Sequence, residues 1–126
     1  MTVDTDIYTT LSGAAAVTAL AALRLYPGRA PQDSALPYVV WVRVATTGDA
    51  AHDVTTDPGL YRSSFQFTVL AETIAEVDAL IEQVRIALLT ADAVGHASSL
   101  DTRRDIYESV ADLYRADLDI TFWHTA

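Results

Sequence analysis

The sequence predicts an α+β domain: a four-stranded, mainly antiparallel sheet with two helices packed on one face, in the order helix, strand, strand, helix, strand, strand. Three observations predict it. An alanine-rich stretch with helical spacing opens the chain between Asp4 and Leu23. Two pairs of segments, 36–70 and 96–123, carry strand-forming residues, and the second of each pair alternates apolar and polar. Between the pairs lies one amphipathic stretch, 73–89, whose apolar residues recur with the helical period. A sheet with a single apolar face buries it under helices, so both helices are placed on that face.

The first helix is expected from Asp4 to Leu23 with a break at Ser12-Gly13. Ile7 and Leu11 share a face, and Ser12 is placed to cap a second segment through Val17, Leu20 and Leu23. Tyr26-Pro27-Gly28 is read as the stop signal, followed by a loop to Ala35. The run Tyr38-Val39-Val40-Trp41-Val42-Arg43-Val44 is rich in β-branched and aromatic residues and reads as strand. Residues 45–59, with Thr46-Thr47-Gly48-Asp49 and Asp57-Pro58-Gly59, are too long for a tight hairpin and read as a mobile arm.

Leu60–Leu70 forms the second strand, with Tyr61, Phe65, Phe67 and Val69 on one face and Arg62, Ser64, Gln66 and Thr68 on the other. Thr73 and Glu76 have capping-box spacing, and Val77, Leu80, Ile81, Val84 and Leu88 form the buried stripe of the following helix. A weaker strand, 96–107, precedes a turn and a last strand, 113–123. There Tyr114, Ala116, Leu118, Ile120 and Phe122 face the core, while Arg115, Asp117, Asp119 and Thr121 face a wet surface. Leu60-Tyr61-Arg62 recurs as Leu113-Tyr114-Arg115, each opening the second strand of a hairpin. Two similar hairpins serving one sheet account for the echo. Trp41 and Trp123 default to the core, as do Tyr61 and Tyr114.

Composition bounds the function. The 126 residues suit a single domain, 1–126, and carry 17 acids against 8 bases for a net charge of −9. Such a balance opposes sequence-independent binding to nucleic acid, which rests on clustered cations. All eight bases are Arg, so Schiff-base and Walker-type lysine chemistry are excluded. With no Cys there is no disulfide or thiolate metal site. Acids stand near the N-terminus where a signal peptide carries bases, and the apolar stretch Ala14–Leu25 is shorter than the ~20 residues of a membrane span. Folding in the cytoplasm, with no membrane partner, is the expectation.

Catalytic motifs are absent from the sequence, and an enzyme is not expected. His52, His96 and His124 have no partners at ligand spacing and read as solvated imidazoles. Asp117 and Asp119, two apart on one strand face, have the spacing of a cation or acid–base pair, but an ordinary wet face carries such pairs too. Arg103-Arg104 beside Asp101 and Asp105 reads as an ion-paired strand. No metal or cofactor is expected.

Taken together, several short motifs resemble one family. They are Arg24-Leu25-Tyr26-Pro27-Gly28 with Ala30-Pro31-Gln32, then Leu36-Pro37-Tyr38-Val39-Val40, then Ala71-Glu72-Thr73 opening Ala75-Glu76-Val77-Asp78-Ala79-Leu80. Asp112-Leu113-Tyr114-Arg115 leading into Leu118-Asp119-Ile120-Thr121-Phe122-Trp123-His124 completes the set. In this order and at this chain length they resemble the tail-terminator, or tail-completion, proteins of long-tailed bacteriophages, prophages and gene-transfer agents.

The resemblance implies a structural virion protein at the head-proximal end of the tail. It would form a ring with itself, usually a hexamer, on the tail tube, end tube polymerisation and meet head-completion (stopper) proteins. DNA would pass through the acidic lumen without specific binding. Assembly contacts are then expected in the arm (Thr47, Asp49, His52, Asp53), in the loop that holds Arg29, and on the polar sheet face (Arg62, Arg115, Asp117, Asp119). Two other classes remain open: another head–tail connector, neck or minor tail protein, and a small ligand-binding or enzymatic α+β domain with a polar pocket.

Overall fold

The computed structural model describes residues 3–32, 34–49, 60–90, 97–108 and 112–125. Along them run α1 (Val3–Gly13), α2 (Ala15–Ala21), β1 (Leu25–Pro27), β2 (Tyr38–Asp49), β3 (Leu60–Ala71), α3 (Ile74–Leu89), β4 (Ala97–Glu108) and β5 (Leu113–Thr125). The class is the α+β one expected. The count differs: three helices and a five-stranded sheet replace two helices and four strands.

Both differences arise between residues 13 and 28. Ala14 leaves the helical region (φ −86, ψ 107) and separates α1 from α2 without any side-chain cap. Ser12 is not that cap, because its hydroxyl donates back to the Thr9 carbonyl at 3.3 Å. The second helix also ends earlier than the Tyr26-Pro27-Gly28 signal, at Ala22 with φ 53 and ψ −129. The residues after it extend and pair in parallel with β2, Leu25 opposite Val39 and Pro27 opposite Trp41. Pro27 is tolerated because β1 is an edge strand, where a missing N–H breaks no ladder. Gly28 turns the chain away at φ 88, a conformation that favours glycine, and its N–H donates to the Trp41 carbonyl at 2.7 Å.

The sheet order is β1-β2-β3-β5-β4, antiparallel except at β1. β2 and β3 form one hairpin and β4 and β5 the other, so the two Leu-Tyr-Arg echoes do open second strands. Those strands are partners at the centre of the sheet, Leu70 opposite Arg115 and Arg62 opposite Trp123. Strand β2 continues through residues 45–49, so the expected arm begins as a strand; residues 50–59 lie outside the described residues.

All three helices lie on one face over a single core. The α3 stripe of Val77, Leu80, Ile81, Val84 and Leu88 is buried as its spacing predicts, and Thr73 Oγ1 accepts the Glu76 N–H at 3.2 Å. Beneath it stand Phe65, Phe67 and Val69 of β3 and Ala116, Leu118, Ile120 and Phe122 of β5. Phe65 and Phe122 meet edge to face at 5.7 Å, the geometry that the ring quadrupoles favour. Trp41 belongs to this core, whereas Trp123 is half-buried on the opposite face. Trp41 Nε1 is buried without a hydrogen-bond partner among the described residues.

Candidate assembly surfaces

Alternation along each strand leaves the second sheet face free of helices, and a cross-strand charge network covers its centre. Asp117 on β5 is 1% exposed there. Arg115 reaches it from two residues back in a fork, Nε to Oδ1 at 3.0 Å and Nη2 to Oδ2 at 2.9 Å. The Thr68 hydroxyl on β3 donates to Oδ1 at 3.0 Å, and Arg104 on β4 stands 3.9 Å from Oδ2. Arg104 itself donates to Asp119 at 3.0 Å. The expected wet pair Asp117 and Asp119 is therefore corrected: Asp117 is buried, and each carboxylate has a guanidinium partner.

Consecutive arginines on β4 part company because strand side chains alternate. Arg104 joins this network, while Arg103 turns to the helix side and donates to Asp78 on α3 at 2.9 Å and to Asp105 at 3.3 Å. The expected ion-paired strand is what the structure contains. Arg62 does not join Arg115. It lies opposite Trp123 toward the other end of β3, about 25 Å away at ~3.3 Å per strand residue.

A second polar group forms at that far end, on the helix side. Ser63, fully buried, shares a 3.0 Å hydrogen bond with Thr46 and a 2.7 Å one with His124 Nε2. The His124 ring stacks on Tyr61 at 6.0 Å. His124 is thus a half-buried, bonded imidazole and not the solvated one expected. His96, His52 and Asp53 lie outside the described residues.

Two strand edges complete the surface. β1 covers β2 only at Val39–Trp41, which leaves the outer edge of residues 42–47 without a strand partner among the described residues. At the opposite end the outer edge of β4 has no strand partner among the described residues. Apolar side chains stand at both: Val42 and Val44 on β2, and Leu100, Ile106 and Tyr107 on β4. Arg29 is exposed just past β1 and Thr47 is exposed on β2, while Asp49 is the last residue of that strand. Between α3 and β4 runs a groove of about 310 Å³ lined by Ile74, Val77, Asp78, Asp105, Tyr107 and Tyr114 among others. At its end the Tyr107 hydroxyl donates to Asp112, and that hydrogen bond raises the Tyr107 pKa. On α3 the guanidinium of Arg85 pairs with Glu82 and holds that carboxyl below its ordinary range.

Thr68 and Ser63 are contributors that composition and motifs did not single out, and Arg104 and His124 take partners, Asp119 and Ser63, that the sequence did not assign them. Pairing Glu108 with Leu113 carries the register back to Arg104 opposite Asp117. Among the described residues no cluster of three or more His, Asp or Glu is placed to hold a metal ion, and no helix is long and apolar enough to cross a membrane.

The fold and its surfaces define an α+β protein whose polar chemistry is bound up in cross-strand networks and whose sheet, among the described residues, ends in two open edges. No curated protein matches the sequence. The family model of tail completion protein gp17 matches residues 5–125. This chain belongs to that tail completion family. Its fold is also similar to a solved chain from the "Virion of native gene transfer agent (GTA) particle", with TM-score 0.73 and 22% identity, covering 95% of this chain and 92% of that one.

Proposed function

We propose that this protein is a tail terminator: a non-enzymatic subunit that closes into a ring, of about six copies, on the last ring of a tail tube. The ring would end tube polymerisation and offer its other side to head-completion proteins. The observation that carries this reading is the family match along 5–125. The fold suits it, because a head-to-tail contact between two different surfaces of one subunit generates a closed ring when its rotation closes. Open edges at the two ends of one sheet are such a pair of surfaces. A net charge of −9 also suits a channel through which DNA slides without sticking.

The test is the solution mass of the purified protein by light scattering, with negative-stain images of the same fraction, followed by addition of tail tubes. Rings of about six subunits that cap tube ends support the reading. A protein that stays monomeric with and without tubes overturns it. A second reading, a connector on the portal side, predicts binding to head-completion proteins and none to tubes.

A further inference from the structure

We infer that neighbouring subunits join by strand pairing, the outer edge of β4 on one copy adding to the free edge of β2, residues 42–47, on the next. This inference rests on the ring reading and names its interface. The strand directions allow it. β2 and β5 are both antiparallel to β3, and β4 is antiparallel to β5, so β4 runs opposite to β2. A second copy that continues the sheet therefore meets β4 with an antiparallel strand, which forms the straighter and slightly more stable ladder.

The levels match as well. Ala45 pairs with Ser64, Ser64 with Thr121, and Thr121 with Ser99; likewise Val42 leads through Gln66 and Asp119 to Thr102. Continuing the sheet without a shift sets residues 42–47 of one copy beside 97–102 of its neighbour. Residues 103–105 then reach the level of Val39–Trp41, which β1 already pairs, so the shared ladder is confined to 42–47 and the neighbour's β4 leaves it at the irregularity between Leu100 and Thr102. That ladder is about 20 Å long, a full strand by ordinary standards. β1, only three residues long, stops short of this stretch and leaves it open.

Charge distinguishes the two ends. Residues 24–49, through the end of β2, include three Arg (24, 29 and 43) and two acids, Asp33 and Asp49. One of the three, Arg43, is engaged with Asp4 at 3.0 Å. Elements α3 and β4 together hold six acids (Glu76, Asp78, Glu82, Asp101, Asp105, Glu108) against three Arg (85, 103 and 104). An acidic end thus faces a neutral one, which favours head-to-tail contact over pairing of two acidic β4 edges. A long unprotected strand edge is an aggregation hazard in a free protein, and a ring that pairs 97–102 with 42–47 shortens it.

The chain has no cysteine, so disulfide trapping starts from a clean background. Ser99→Cys would be combined in turn with Arg43→Cys, Ala45→Cys and Thr47→Cys, three positions that span a two-residue slip either way. Under oxidation, at least one double variant is expected to give a covalent ladder ending at the ring, while each single variant stays monomeric on a denaturing gel. Rings by light scattering with no ladder in any pair would overturn the strand-pairing interface and leave the ring reading standing. Covalent dimers from Ser99→Cys alone would overturn it in favour of a two-fold contact. Absence of any assembly would remove the ring reading and this inference with it. Independently, Arg29→Glu is expected to raise the concentration needed for assembly about tenfold; an unchanged threshold would count against the charge argument.

Discussion

Arg115 grips Asp117 with both arms of its guanidinium, on the sheet face opposite the three described helices, yet the carboxylate is 1% exposed and the arginine side chain 32%. The two partners therefore stand differently toward water. Removing the arginine leaves a buried charge with only the Thr68 hydroxyl and the more distant Arg104, whereas removing the carboxylate leaves a cation that water can reach. Arg115→Ala is expected to lower unfolding free energy by about 3 kcal/mol, and Asp117→Ala by only about 1–2 kcal/mol. Urea unfolding of the two variants checks the order, and the reverse order would refute this account of the network.

At the start of α3, Thr73 accepts the Glu76 N–H, an otherwise orphaned helical donor. Thr73→Ala is expected to lower stability by about 1 kcal/mol, and Thr73→Ser to retain most of it. Thermal unfolding of both variants at equal concentration reads the difference.

Ala22 holds φ 53 and ψ −129, a conformation that an L-residue adopts at a cost and glycine adopts freely. Ala22→Gly is expected to stabilise the protein by about 1 kcal/mol, against the usual penalty for adding glycine. A loss of stability on the same scale would mean that the side chain contributes packing which outweighs the strain.

Tyr107 has its pKa raised, first by the hydrogen bond it donates to Asp112. A group whose folded pKa is raised contributes stability that is present below its unfolded value, near 10 for tyrosine, and lost as pH rises through the folded value. Asp112→Asn is expected to move the Tyr107 titration toward the ordinary value, read by tyrosinate absorbance against a Tyr107→Phe control. The variant and the parent should differ in stability below pH 10 and converge above the raised pKa.

Several elements are legible in the amino-acid sequence because their signal is local. The α3 stripe repeats within one helix, the cap stands three residues from its donor, and the inward residues of β3 and β5 alternate within one strand. The residues expected at assembly contacts do not gather on one surface. Arg29 and Thr47 are exposed beside the open edge and Arg115 is central, but Arg62 falls far from Arg115, and Asp117 is buried where strand alternation points to a wet face.

The sequence by itself determined the α+β class, the two hairpins, the helical stripe and the absence of thiol and lysine chemistry, since each follows from periodicity or from which residues exist at all. Tertiary structure alone decided that Leu25–Pro27 becomes a strand, because three residues have no period to read and their partner, Val39–Trp41, lies across a loop. It also decided that Asp117 is buried. The hydroxyl and one of the guanidinium groups around it come from β3 and β4, so the burial of that charge depends on strands meeting that are far apart along the chain.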